Sequence, residues 1–274
     1  MKINPILYIR QIKAKLNKLR YFLPLWQRIN WFDLLILSSF RHGKRDNSDL
    51  VCIRLRYPSR RSVFIREKSN TDKSVFKYVF FNAYHHPPIT LKEKCTILDL
   101  GANIGLTMVD FKECYPHSRI LGFEMDAQNF TLAQKNIVGL TDCVIENKAI
   151  WHTKSTVQYA IDVAEDAYNI SDAKAIDIDT RKYRQVEALS MNDVLSQYNL
   201  SEVDYVKMDI EGAEKALLQN GSRTWLNHIN CLNIEIHDPS FLPEAMTILE
   251  SFNFDCYKDT NHWSAILAIK THQI

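Results

Sequence analysis

Near the start of the chain, apolar side chains recur at helical spacing: Ile6, Ile9, Ile12, Leu16, Leu19 and Leu23. Steps of three and four put them on one face, with Arg10, Lys13 and Lys18 largely off it. Pro24 ends the pattern, and a second apolar stretch runs from Trp31 to Phe40. From Leu50 the period changes. Val51–Leu55 and Ser62–Arg66 flank the turn-like Pro58-Ser59-Arg60-Arg61 and predict a β-hairpin. A short helical pattern then begins at Asp72.

From about Leu91 onward short apolar runs alternate with helical patterns. Strands are expected at Thr96–Leu100, Arg119–Glu124, Cys143–Ile145, Asp204–Asp209, Leu232–His237, Phe254–Tyr257 and Ser264–Ile269. Such alternation predicts an α/β fold with a doubly wound, mostly parallel sheet covered on both faces. Residues 151–200 interrupt it. They hold one strand candidate, Thr156–Ile161, and a helix from Met191 with Ser190 and Asp193 as a capping box. The patterns divide the chain into a basic helical segment (1–49), a strand-turn-strand-helix unit (50–88) and a ligand-binding domain (89–274).

Composition changes this picture in two places. The net charge is only +2, which gives no reason to expect nucleic acid as a partner. Residues 1–45, however, carry ten basic side chains and one acid, leaving −7 on the rest. A basic amphipathic helix over residues 5–23 is therefore a candidate for peripheral membrane contact as well as for packing on its own domain or on a second subunit. Six scattered cysteines without a CxxC pair suit a reducing compartment. With no apolar run of about 18 residues and no clean signal segment, a cytoplasmic location is expected.

The chemistry is concentrated after two strands. Thr96–Leu100 runs into Asp99-Leu100-Gly101-Ala102-Asn103-Ile104-Gly105. Gly101 and Gly105 allow a tight turn, and the following helix points its N-terminus at a ligand. The turn lacks the GxGxxG of dinucleotide sites, and Asp99 would repel a pyrophosphate but attract an ammonium. That favours S-adenosylmethionine over a nicotinamide cofactor. Glu124 follows Asp99 by 25 residues, close to the spacing at which an acid holds a ribose diol. Met125, Asn147 and Ala149 are expected beside the adenine.

These pieces, with Val206–Glu214 (VKMDIEGAE) and Asn233–His237 (NIEIH), resemble the FkbM family of methyltransferases. Phe64–Arg66, Thr71–Asp72 and Tyr84 also resemble that family, and the likeness covers about Leu50 to Ile269. It implies the seven-stranded, Rossmann-like class I methyltransferase sheet and transfer of a methyl group to a hydroxyl, often on a sugar, glycan or secondary metabolite. The strand order it implies makes the strands ending at Asp209 and His237 neighbours.

In such a sheet ligands bind beyond the carboxyl ends of the strands. His237 is the expected general base, by its ordinary pKa. Asp209 is expected to orient the acceptor or hold the sulfonium side, with Glu211 beside it. Glu214 reads as a helix-start acid. Carboxylates and imidazole also suit Mg²⁺ or Mn²⁺, but no ligand spacing demands a metal and none is expected. Lys207 and Glu235 are expected side by side as a buried pair. A degenerate fold serving as a binding module, or an NAD-dependent oxidoreductase, are the alternatives.

Overall fold

A computed structural model describes residues 49–56, 60–160, 171–172, 183–259 and 264–271, together with Ile29, Asp33, Ile36 and Leu37. The expected amphipathic helix over residues 5–23 lies outside them.

β1 (Leu50–Arg54) and β2 (Ser62–Arg66) pair antiparallel as the expected hairpin. α1 (Asn70–Phe80) follows, capped by Ser69, whose hydroxyl accepts from the Asp72 backbone N–H. The ligand-binding unit then runs β3 (Thr96–Leu100), α2 (Leu106–Cys114), β4 (Arg119–Phe123), α3 (Ala127–Ile137) and β5 (Cys143–Glu146). After the interruption come β10 (Tyr205–Met208), α5 (Ala213–Asn220), β11 (Cys231–Glu235), α6 (Leu242–Glu250), β12 (Phe254–Lys258) and β13 (Ala265–Lys270). These seven strands form one sheet in the order β12-β13-β11-β10-β3-β4-β5. Only β13 runs antiparallel to its neighbours. Chain order reverses direction between β3 and β10, so the crevice above their carboxyl ends is the topological switch point where ligands of such sheets bind.

The interruption has structure of its own. β6 (Ala149–Ile150), β7 (Ser155–Ala160), β8 (Ser171–Asp172) and β9 (Tyr183–Leu189) form a second sheet, and α4 (Met191–Gln197) opens with the expected Ser190–Asp193 capping box. β9 was not legible because only its last four residues alternate buried and exposed before Leu189.

The hairpin unit is tied to the large domain. Ile53, Val63, Ile65 and Phe76 share one core with Ile97, Ile104 and Val109. Asn136 of α3 is buried; its Oδ1 accepts from Phe64 N (2.7 Å), and its amide donates to Phe64 O (3.0 Å) and Ile104 O (2.8 Å). Buried Arg66 pairs with Asp72 (2.6 Å) and donates to Asn129 of α3 (2.9 Å). The boundary at residue 49 is also crossed, because Ile29 bridges Leu55 and Asp33 accepts from Arg54 N.

Candidate active site

The turn after β3 is built against β10. Gly101 has φ +78°, and a Cβ there would lie 1.7 Å from the Asp209 carbonyl oxygen. Glycine is required both by the left-handed backbone and by this approach. Gly101 N and Ala102 N donate to Phe123 O, and Asp209 N donates to Leu100 O (3.0 Å). Asn103 (φ +50°) and Gly105 (φ +78°) complete the turn. Helices α2 and α5 both open at a left-handed glycine, Gly105 and Gly212, without a side-chain cap.

Glu124 stands at the mouth of the turn. Its Oε2 accepts from Asn103 N and its Oε1 from Asp126 N, both at 2.8 Å. Burial pushes its carboxyl up to about 7 despite those bonds. Each oxygen keeps a second lone pair for a ligand hydroxyl. Asn147 donates to the carbonyls of Glu124 and Met125 and so fixes that segment. Met125 is half-buried against the core, whereas Ala149 lies in β6 with its side chain in the core.

Asp99 has no exposure at all. The register sets it beside Lys207, whose Nζ lies 3.3 Å from the carboxylate, donates to Gly101 O (2.6 Å) and lies 3.7 Å from Asp209. Burial pushes Asp99 up to about 6, against the pull of the Lys207 charge. The expected Lys207–Glu235 pair is not formed. The register puts Asn233 opposite Lys207, and Glu235 accepts instead from Ser264 Oγ (3.1 Å). Sequence distance from the strand ends misled here because β10 and β11 are out of step by two residues.

Asp209, Glu211 and His237 do meet. His237 Nε2 lies 3.7 Å from Asp209 and 3.5 Å from Glu211, while Nδ1–H donates to Glu214 Oε1 (3.0 Å). The first three side chains are 23–30% exposed and Glu214 only 2%. Glu214 does more than start a helix: the same oxygen accepts from Ile210 N and Gly212 N, fixing the turn and the imidazole together. Glu211 has φ +54°, a strained position that the surrounding contacts hold in place.

The groups of this cluster shift one another's proton affinity. Burial opposes a cationic His237, but Glu214, Asp209 and Glu211 outweigh it and push the imidazole up to about 10. Burial and the Asp209 charge push Glu211 up to about 8, and burial pushes Glu235 up to about 7. Burial would raise Asp209, yet Lys207, His85 and His237 hold its carboxyl below the usual range. The cluster's three ligand atoms lie within 4.8 Å, a set that a divalent cation could take.

His85 was not anticipated from the sequence. Burial and the nearby Lys207 charge lower its pKa to about 3, and Asp209 is among its electrostatic neighbours. Its carbonyl accepts from the Tyr205 hydroxyl (2.6 Å). The only signal was a His pair before Pro87-Pro88, which has no motif spacing.

Residues 99–256 match the methyltransferase FkbM domain family. The methyltransferase sdnD of Sordaria araneosa is 23% identical, over 61% of this chain and 76% of that protein. Methyltransferase 1 of Beauveria bassiana (strain ARSEF 2860) is 26% identical, over 61% and 75%. The crystal structure of the methyltransferase FkbM from Methylobacillus flagellatus KT is similar over 73% of this chain, at 14% identity and a TM-score of 0.45. This chain spans 54% of that protein's length. The matched region begins at Asp99 and takes in both the glycine turn and the Asp209–Glu214 segment. With the sheet order above, this chain belongs to the FkbM methyltransferase family and has the class I methyltransferase fold.

Proposed function

We propose that the chain is an S-adenosylmethionine-dependent O-methyltransferase acting on a hydroxyl of a sugar, glycan or secondary-metabolite acceptor. The observation that carries this reading is His237, set among Asp209, Glu211 and Glu214 directly beside the glycine turn. The residues fit such a donor. Gly101 leaves the turn open, Glu124 retains acceptor capacity for a ribose diol, and the start of α2 lies at the same turn. When bound, the donor supplies an electrophilic methyl. Glu124 and Met125 would hold its nucleoside end, with Asn147 positioning them.

For a hydroxyl held at the rim, transfer of the donor's methyl to oxygen would require the hydroxyl proton to leave. His237 holds its own proton in the free chain, because three carboxylates surround it. Before it can act as a base, the imidazole must give up that proton to solvent. Nε2 then takes the hydroxyl proton while Glu214 holds Nδ1–H. Asp209, ionised throughout, orients the hydroxyl. The test is turnover of methyl-labelled S-adenosylmethionine with hydroxyl acceptors. His237→Ala and Asp209→Ala should lower turnover far more than donor affinity, by about 10²–10⁴-fold for loss of a general base. Equal losses in turnover and affinity would contradict the assignment.

A further inference from the structure

A second cluster of ligand atoms lies outside the rim. Asp110 and Cys114 stand four residues apart on α2 and so face the same way. His86, from the segment between α1 and β3, reaches onto that face. Its Nε2 is hydrogen-bonded to Asp110 Oδ2 and also lies 3.7 Å from Cys114 Sγ. All three ligand atoms lie within 4.8 Å of one another. His86 and Asp110 are almost fully buried, and Cys114 is half-buried.

Two groups thus converge on one ring nitrogen. An ion at the point of convergence serves all three. Zn–N bonds of about 2.05 Å and Zn–S bonds of about 2.3 Å at a tetrahedral angle separate N and S by about 3.6 Å. The observed His86–Cys114 separation of 3.7 Å matches that figure. Thiolate with imidazole selects a borderline-soft ion over magnesium or calcium. Deprotonated Asp110 and Cys114 with neutral His86 would neutralise a doubly charged ion in a buried place.

We propose that His86, Asp110 and Cys114 bind a zinc ion, with water in the fourth position. On binding, the Cys114 thiol releases its proton and the neutral His86 ring carries its hydrogen on Nδ1, so affinity rises with pH. The ion would replace the direct His86–Asp110 bond and pin the segment around Ala83, whose φ of +51° needs support from its surroundings. His85 belongs to that segment, and its carbonyl accepts from Tyr205 of β10, so the ion would tie α2 to the strand that ends at the rim.

The test uses the full chain, stripped with chelator, and no methyl donor, so its failure is separate from failure of the O-methyltransferase reading. Calorimetry should find one equivalent of Zn²⁺, and Co²⁺ should give a thiolate-to-metal charge-transfer band. Cys114→Ser should abolish the band, while Cys256→Ser and His237→Ala retain it. Zn²⁺ should raise the Tm of the wild type and not of Cys114→Ser. Should Cys114→Ser fail to fold, Asp110→Asn serves, with at least a tenfold loss of Zn²⁺ affinity expected. No band in the wild type, a band surviving in Cys114→Ser, or a band lost in His237→Ala would overturn the proposal.

Discussion

Replacing Lys207 by Met leaves Asp99 in the middle of the sheet without its cation. Asp99 is fully buried, and even with Lys207 at 3.3 Å its carboxyl sits at about 6 against an ordinary 3.8. Holding it ionised at pH 8 therefore already costs about 3 kcal/mol relative to water. A raised carboxyl in the fold contributes stability that is fully present below pH 3.8 and lost as pH rises through about 6. Without Lys207 the carboxyl moves higher still, so the loss deepens. Lys207→Met should destabilise the chain by about 3–5 kcal/mol at pH 8, the usual penalty for orphaning one member of a buried pair. At pH 4 Asp99 is largely neutral in the variant, and the loss should shrink toward about 1 kcal/mol for the missing bond to Gly101 O. The assay is urea denaturation of both proteins at the two pH values. Adding Asp99→Asn should recover most of the pH-dependent part. Equal destabilisation at pH 4 and pH 8, or no recovery in the double variant, would refute the reasoning.

Other consequences are as direct. Glu124→Ala removes the acceptor of Asn103 N and Asp126 N as well as the proposed ribose partner, so S-adenosylmethionine affinity measured by calorimetry should fall by about 1.5–3 kcal/mol. Because the base must be neutral and His237 sits at about 10 in the free chain, kcat/KM should rise with pH toward that value; the rising limb should be absent in His237→Gln. If the basic face of residues 5–23 meets a membrane, the full chain should pellet with anionic vesicles and release in high salt, unlike a chain shortened to begin near Asp49. Equal pelleting of the two would leave the segment a packing role.

Much of the fold was legible because its signals are local. The hairpin, the capping box at Ser190 and all seven strands of the main sheet carry their own periodicity or punctuation. What escaped depends on register and distant contacts. Lys207 and Glu235 looked paired because each lies two residues before a rim residue, yet the register gives Lys207 to Asp99 and Asn233. The second sheet was hidden by the polar residues of β9. At the site, Asp209, Glu211 and His237 converge as their strand ends suggested. The charge on His237 was not readable, since three carboxylates from one turn set it. Nor was the grip of Glu214 on its Nδ1. Asp99 read as facing a ligand; its complete burial against Lys207 makes it a support for the turn first.

The proposed donor site is the turn from Asp99 to Gly105 together with Glu124. Its most direct test is calorimetric titration of the chain with S-adenosylmethionine and, separately, with NAD⁺. Saturable one-to-one binding of the first, weakened in Glu124→Ala, is expected, with no heat from the second. Binding of NAD⁺ in preference, or an S-adenosylmethionine affinity indifferent to Glu124→Ala, would contradict it.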